Sequence, residues 1–384
     1  MVSRYLRHCR PLVFLAAAAA IASAAGGTVC AAEFGPQQFI PTKVTRHASF
    51  YVGGQYVEKD GKTTMDGQMY VEGWAPARIT HRYPIVFFHG LGQTATNWMS
   101  TADGRKGWAD YFVDQGYVVY MVDQPDRGRS SWSTEGDRRF RVTDVAMAQR
   151  LFTSPERDKG WPQAEKHTQW PGAGRRGDPV FDAFYAALVP SLADNAQSER
   201  LVRNAAAALL DKIGPAILLV HSQAGLFGWS IADARPQLVK GIVAVEPSGP
   251  PFQNATQAKR ELAWGLTNIP VQYDPPATDP SQLTIEQQDT PDGSDLTKCW
   301  LQKAPARKLV NLQHVPVLVL TSEASYHAPY DHCTASFLEQ AGVKTTFVRL
   351  EAIGIHGNGH LMMQEKNNLD VAAAIRSWIA KTVQ

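Results

Sequence analysis

The chain has 384 residues, of which 44% are hydrophobic and 19% are charged, so it fits one large globular domain or two small ones and is not a disordered protein. Its formal net charge of +2 falls to −1 when Arg4, Arg7 and Arg10 are removed with the N-terminal segment described next. No basic patch therefore points to nucleic acid or an anionic membrane as a partner.

The N-terminus has the pattern of an export signal. The three arginines precede the apolar stretch PLVFLAAAAAIASAA, and small residues follow near TVCAAEF. This order predicts a signal peptide over residues 1–32 that is cleaved, so the mature protein is expected to be periplasmic or secreted, with no stable membrane insertion. An uncleaved anchor is the alternative, although about 15 apolar residues are short for a span. A lipoprotein acylated at Cys30 is a second one, although GTVC lacks the usual residues before the cysteine.

Beyond residue 32 the hydrophobic pattern first alternates and then becomes continuous. ASFYVGGQYV (48–57) and MDGQMYVEGWAPA (65–77) alternate around a glycine-rich turn and predict an antiparallel hairpin. Short apolar runs that suit strands buried on both faces follow at 83–90, 117–124, 216–222, 241–247, 315–323 and 344–354. NLDVAAAIRSWIAKTV predicts a closing helix. The fold class is therefore α/β, with a mostly parallel central sheet, an N-terminal antiparallel hairpin and helices on both faces.

Two connections are too long to be simple crossovers, at about 132–200 and about 248–312. We expect residues 33–384 to form a single domain in which these insertions serve as lids or pocket walls. Cys299 and Cys333 are the only cysteines beyond residue 32, and in an oxidising compartment they most simply form one disulfide. Two unpaired buried thiols are the alternative.

Polar residues follow the predicted strands at their carboxyl ends, where open parallel sheets bind ligands. HSQAG places Ser222 after one strand, FFHGLG ends another, and GIHGNGHLMM supplies histidines after the last. The chain order serine, acid, histidine resembles that of the α/β-hydrolases. The resemblance is strongest to bacterial secreted or periplasmic carboxylesterases with a Ser–Glu–His triad, and it implies the α/β-hydrolase fold with lid or cap insertions.

The nucleophile segment departs from the G-x-S-x-G pattern of that superfamily. Val220 stands two residues before Ser222, and Gly225 comes one place late. A valine is bulky for the sharp strand-to-helix turn, so we expect a variant of it. HSQAG alone would also fit a structural serine at a strand end.

The resemblance implies roles for three side chains and two backbone groups. Ser222 would be the nucleophile, His360 the base and Glu246 the acid that orients the histidine. The backbone N–H groups of Leu91 and Gln223 would form the oxyanion hole.

Two of these assignments have alternatives in the sequence. His356 competes with His360 for the role of base, and Glu323 competes with Glu246 for the role of acid. His89 is expected to order the HGLG loop. In DQPDRGRSS, architectural ion pairs are expected from Asp126, Arg127 and Arg129.

The implied reaction is the hydrolysis of a carboxylic ester through an acyl-enzyme, without a cofactor, and the expected partner is a small-molecule ester substrate; the sequence leaves the oligomeric state open. A pocket walled by Trp, Phe and Leu would favour an apolar or aromatic ester, and a lactone or another acyl compound would use the same triad. A metal hydrolase is a second class, with candidate ligands His327, His332, Cys333, His356 and His360. A non-catalytic binding module is a third, with a cleft lined by Trp98, Trp132, Trp161, Trp170 and Trp264.

Overall fold

A computed structural model describes residues 42–133, 138–254 and 259–383. The signal peptide predicted over residues 1–32, with Cys30, lies outside the described residues. No helix within them is both long enough and apolar enough to cross a membrane.

An eight-stranded sheet carries the fold. Its strands in chain order are β1 (Val44–Lys59), β2 (Lys62–Pro76), β3 (Ile85–Phe88), β4 (Val119–Asp123), β5 (Ala216–His221), β6 (Val239–Val245), β7 (Val317–Thr321) and β8 (Thr345–Arg349). Across the sheet they run β1-β2-β4-β3-β5-β6-β7-β8. β1 and β2 form an antiparallel hairpin and β2 is antiparallel to β4, whereas the other neighbouring pairs are parallel. The predicted hairpin and mostly parallel sheet are confirmed.

Helices cover both faces of this sheet, as predicted. Those in the described residues are α1 (Thr96–Met99), α2 (Trp108–Asp114), α3 (Val145–Ala148), α4 (Pro155–Asp158), α5 (Pro179–Ala186), α6 (Asn195–Ile213), α7 (Ala224–Ala234), α8 (Asp331–Gln340) and α9 (Asn368–Thr382). Successive strand residues point to opposite faces. Val86 and Phe88 of β3 therefore join a core with α6, α7 and α8, and Ile85 and Phe87 join a second core with α2 and α9.

Both long connections contain short elements of their own. The first includes α3, α4, α5, a π-helical turn at Gln149–Thr153 and a 3₁₀ turn at Ala164–Lys166, and it ends where α6 begins. It also contains a small ribbon that pairs Phe140–Arg141 with Ser191–Leu192. The second is built from three ribbons, Gln253–Asn254 with Lys259–Arg260, Tyr273–Asp274 with Lys308–Leu309, and Ile285–Gln287 with Trp300–Gln302.

Cys299 and Cys333 form a disulfide, as the sequence predicted. Cys299 immediately precedes a ribbon strand of the second insertion, and Cys333 lies in the first turns of α8. The bond therefore fastens that insertion to a helix of the central fold.

Candidate active site

Ser222 occupies the turn between β5 and α7. Its φ of +56° lies in the left-handed region, which a non-glycine residue enters only when surrounding contacts hold it there. Its N–H donates to the carbonyl of Val245 at 3.1 Å, and its own carbonyl accepts from the N–H groups of Gly225 and Ser248, both at 2.9 Å. These bonds hold the serine at the carboxyl edge of the sheet.

The bulky Val220 is accommodated by a small residue on the helix that packs against it. A Cβ atom at Gly228 of α7 would lie 3.2 Å from both methyl carbons of Val220. Gly225 approaches Pro247 so closely that a Cβ there would lie 2.4 Å from that of the proline. The space that a glycine in the strand would normally provide is thus supplied from α7, which explains why the sequence departs from the usual pattern.

Glu246 and His360 meet beside this turn. Glu246 directly follows β6 with a φ of +44°, and its Oε2 lies 2.6 Å from Nδ1 of His360. The carboxylate also accepts from Ser322, through both N–H and Oγ, and from the Oγ of Ser325. Because the carboxylate accepts at Nδ1, that nitrogen carries the proton and Nε2 of His360 is left as an acceptor.

Burial sets the charge state of this pair. It raises the pKa of Glu246, and the charge of His327 and the bonds from Ser322 and Ser325 oppose that rise. Burial also lowers the pKa of His360 well below its ordinary value, and the charge of His327 lowers it further. We therefore expect the imidazole to be neutral at neutral pH, the form in which it can accept a proton.

The two alternative residues bind each other instead. Nδ1 of His356 lies 3.2 Å from Oε2 of Glu323, which also accepts from the N–H of Gly357 and pairs with Lys166. The side chain of His356 is 62% exposed, whereas that of His360 is 2% exposed. Of these two pairs, His360 with Glu246 is the buried one, and His360 lines the same cavity as Ser222.

Leu91 and Gln223 both line the cavity that contains Ser222. Among the described residues, neither of their backbone N–H groups donates a hydrogen bond. The buried side chain of Arg127 donates to the carbonyl of Gly90 at 2.9 Å and to Oε1 of Gln223 at 3.3 Å. One guanidinium thus ties together the two loops that carry the predicted oxyanion donors.

The residues of DQPDRGRSS behave in two ways. Arg129 pairs with Asp123 and Glu72, and Asp126 pairs with Arg138, as expected for architectural ion pairs. Arg127 differs from that prediction, because it forms no ion pair with any described residue and binds the carbonyl and amide oxygens named above.

His89 is fully buried and bonds both within its own loop and to Gln124, which follows β4. Its Nδ1 lies 3.0 Å from the carbonyl of Gly90, and its Nε2 accepts from the N–H of Gln124. Burial lowers its pKa to about 3, so it is neutral. These contacts fit the predicted role of ordering the HGLG loop.

The cavity around Ser222 has a volume of about 360 Å³. Both insertions contribute walls, the first through Phe152 and Leu151 and the second through Gln253 and Leu262. None of the five tryptophans considered for this cleft lines it. Trp98, Trp170 and Trp264 are buried in the hydrophobic cores, Trp161 packs against Tyr326, and Trp132 is 43% exposed. The predicted Trp contribution to the pocket wall is therefore wrong, whereas Phe and Leu are present, together with Arg141 and Glu261.

Comparison with known proteins shows the family to which the chain belongs. The sequence profile described as "Alpha/beta hydrolase family" matches residues 85–374, which is most of the chain. The chain belongs to the α/β-hydrolase family. It is 49% identical over 337 residues to "Probable secreted lipase phiG" of Fungal sp. (strain ATCC 74256), which covers 86% of this chain and 89% of that protein. The resemblance predicted from the sequence is confirmed.

Solved structures show the same fold. A bacterial esterase solved at atomic resolution superposes with a TM-score of 0.62, at 24% sequence identity, and the match covers 90% of this chain and 99% of that one. This similarity supports the α/β-hydrolase architecture inferred from the sheet order.

Several residues of the site in this α/β hydrolase were not predicted. Ser322 and Ser325 bind Glu246, and the buried carboxylate of Glu365 fixes the GNGH loop by accepting from the N–H of Gly359 at 2.9 Å. The sequence signal was present in TSEASYH, where two serines flank Glu323. It was not interpretable, because nothing local shows that the serines reach a carboxylate from another strand.

Two further histidines pack against the ring of His360. His221 lies with its ring centroid 4.5 Å away, and its Nε2 donates to the carbonyl of His360. His327 stacks on the same ring at 4.7 Å, and its Nδ1 bonds Asp331 at 2.9 Å. The position of the imidazole is thus fixed by its neighbours as well as by Glu246.

The described residues contain two clusters with metal-ligating side chains. In the first, Cys299 and Cys333 near His332 are joined as a disulfide and offer no thiolate. In the second, the rings of His327 and His360 near Glu246 are stacked within 7° of parallel, so their in-plane lone pairs do not converge on one ion. His356 and His360 bind different carboxylates, so the H-x₃-H pair forms no common site.

Proposed function

We propose that this α/β hydrolase is an exported serine carboxylesterase that forms an acyl-enzyme on Ser222. The observation that supports the proposal best is the buried bond between Glu246 and Nδ1 of His360, at the edge of the sheet that carries Ser222. The pair is buried, and both oxygens of Glu246 accept hydrogen bonds. A buried carboxylate that orients a catalytic histidine requires such bonds.

In the proposed mechanism, Nε2 of His360 takes the hydroxyl proton of Ser222 as Oγ attacks the ester carbonyl. The N–H groups of Leu91 and Gln223 stabilise the tetrahedral oxyanion, and each such donor is worth about 3 kcal/mol. His360 then protonates the leaving alcohol. Water repeats these steps and releases the acid, while Glu246 stabilises the imidazolium.

The substrate class proposed is an apolar or aromatic ester. A cavity of about 360 Å³ walled by Phe152, Leu151 and Leu262 accepts a small acyl or aryl group. The similar fungal protein is named a secreted lipase, which supports both an ester substrate and export. The disulfide of Cys299 and Cys333 also fits an oxidising compartment.

The test is hydrolysis of p-nitrophenyl esters of graded acyl length by the wild-type protein and by Ser222→Ala. We expect the variant to lose about 10³-fold or more of kcat/KM, because the nucleophile is removed. Ser377→Ala, which removes an exposed hydroxyl on α9, is the matched control and should keep wild-type activity. Equal activity of Ser222→Ala and wild type would refute the proposal.

A serine-directed phosphonate separates an esterase from a binding module. We expect a stoichiometric mass addition that maps to Ser222 and is absent in Ser222→Ala. Adding a chelator to the wild-type assay tests the metal hydrolase, since loss of activity would support that class instead. Esters and lactones would be cleaved by the same serine, so Ser222→Ala cannot separate an esterase from a lactonase. A lactone series run in parallel does so, by comparing kcat/KM for the two classes of substrate.

A further inference from the structure

The hydroxyl of Tyr326 lies at the atoms that would react. Its oxygen is 3.4 Å from Nε2 of His360, and Tyr326, His360 and Ser222 line the same cavity. Since Nδ1 of His360 donates to Glu246, Nε2 has no proton in the resting enzyme. In any hydrogen bond between them the phenol is therefore the donor, and Nε2 must exchange that bond for one from the hydroxyl of Ser222 before it takes the serine proton.

Tyr326 is held rigidly in this place. Its ring packs against those of Trp161 and His327, with centroid distances of 6.0 Å and 4.4 Å. The backbone on its N-terminal side is fixed because Trp161 donates to the carbonyl of Ala324 and Ser325 donates to Glu246. A side chain so constrained can act on a reacting atom without reorganisation, which is the condition for electrostatic stabilisation.

We propose that Tyr326 is a further catalytic residue, whose O–H donates a hydrogen bond to the leaving alcohol oxygen as the acyl–oxygen bond breaks. The inference rests on the proposed esterase function. After proton transfer from Ser222, Nε2 of His360 faces the leaving oxygen, and the phenol adjacent to Nε2 reaches the same oxygen.

The atoms balance without a co-reactant. The bond from Oγ of Ser222 to the acyl carbon forms, the bond from that carbon to the leaving oxygen breaks, and its electron pair stays on that oxygen. The proton on Nε2 of His360 neutralises it. Tyr326 keeps its own proton, because burial raises its pKa well above the ordinary value for a phenol.

The test uses Tyr326→Phe with butanoate esters of ethanol, trifluoroethanol, phenol and p-nitrophenol. All four esters form the same acyl-enzyme, so the rate of deacylation is the same for each of them. The value of kcat/KM reports the steps up to and including acylation. We expect Tyr326→Phe to lower kcat/KM about 10- to 100-fold for the ethyl ester, which expels a basic alkoxide. For the p-nitrophenyl ester, whose leaving group needs little stabilisation, we expect a loss of less than about 3-fold.

Tyr330→Phe is the matched control, because it removes a hydroxyl from a neighbouring buried ring whose centroid lies 6.4 Å from that of Tyr326. Its effect should be equal across the four esters. Phosphonate titration normalises each preparation to intact sites, so misfolded protein does not enter the comparison. An equal loss on all four esters in Tyr326→Phe would overturn the inference and leave the esterase proposal intact. Wild-type activity that survives Ser222→Ala would instead overturn the esterase proposal.

Discussion

At the scale of single residues, the site depends on two strained backbone positions. Ser222 and Glu246 directly follow neighbouring parallel strands, and both have positive φ values. Such positions cost about 1–3 kcal/mol each and persist only where other contacts enforce them. Here Ser222 donates to the carbonyl of Val245 and Glu246 donates to that of Leu320. Both side chains emerge at the same edge of the sheet, where His360 bonds Glu246 and lines the same cavity as Ser222.

The pH dependence of hydrolysis follows from the burial of His360. Because burial lowers its pKa, the imidazole stays neutral and able to accept a proton at more acidic pH than a free histidine. We expect the acid limb of kcat/KM for a neutral ester to have its midpoint below the ordinary value of 6.5. A profile from pH 4 to 8 measures it, and a midpoint at or above that value would contradict the expectation.

His327→Gln provides a second measurement of the same effect. The charge of His327 contributes to the low pKa of His360, so its removal should move the midpoint upward toward 6.5. A midpoint that stays in place would show that burial alone sets the acid limb.

At the scale of elements, α7 provides space for a bulky strand residue, and α8 provides the bonds that hold the segment after β7 in place. Gly228 of α7 makes room for Val220, so a bulky strand residue and a sharp turn coexist. Asp331, in the first turn of α8, binds His327 and Thr321. Cys333, two residues later, is joined to Cys299 by the disulfide. The start of α8 is therefore fixed by a covalent bond as well as by packing.

Removal of that covalent bond should lower stability more than activity. The disulfide closes a sequence separation of 34 residues, and its loss typically costs about 2–4 kcal/mol. We expect the double variant Cys299→Ser, Cys333→Ser to unfold at lower urea, with a free energy of unfolding reduced by this amount. Wild-type protein treated with a reductant is the control and should show the same shift. A change below about 1 kcal/mol would contradict the expectation.

At the scale of the whole molecule, a buried histidine joins the first insertion to the loop that carries His360. His167 lies between Glu156, at 3.0 Å, and Glu365, at 2.7 Å. Burial alone would lower the pKa of His167, but the bonds and charges of the two glutamates raise it to about 9. The insertion is thus fastened beside the active site by a charged hydrogen-bonded triad.

Stability should therefore depend on the protonation of His167. Its folded pKa of about 9 exceeds the ordinary 6.5, so the stabilisation is complete below pH 6.5 and is lost as the pH rises through 9. The difference corresponds to up to about 3 kcal/mol. We expect the free energy of unfolding, measured with urea at pH 6 and pH 9.5, to fall less in His167→Gln than in wild type. An identical fall in both proteins would mean that other groups cause it.

The fold could be predicted because its signals are local. Continuous apolar runs such as VPVLVLTSE identify strands buried on both faces. The observed strand β7 begins two residues after the start of this run and ends two residues before its end. The disulfide was predicted from two cysteines in a chain that was expected to be exported. Ser222, Glu246 and His360 could be named from short motifs that follow strands. The sequence left Glu323 and His356 as alternatives, because all four groups follow strands in the same half of the sheet.

Only the tertiary structure decided which acid binds which histidine. That pairing depends on distances between segments more than a hundred residues apart, such as Glu246 and His360, and no local pattern encodes them. The contacts of Tyr326 with His360 and of Arg127 with Gly90 and Gln223 also join separate segments of the chain, whereas Gly228 meets Val220 across the turn between β5 and α7. The sequence by itself therefore determined the class of fold and the chemical types at the strand ends, since these follow from local hydrophobicity. The contacts that assemble a site from those types arise from packing, which acts between elements distant in the chain.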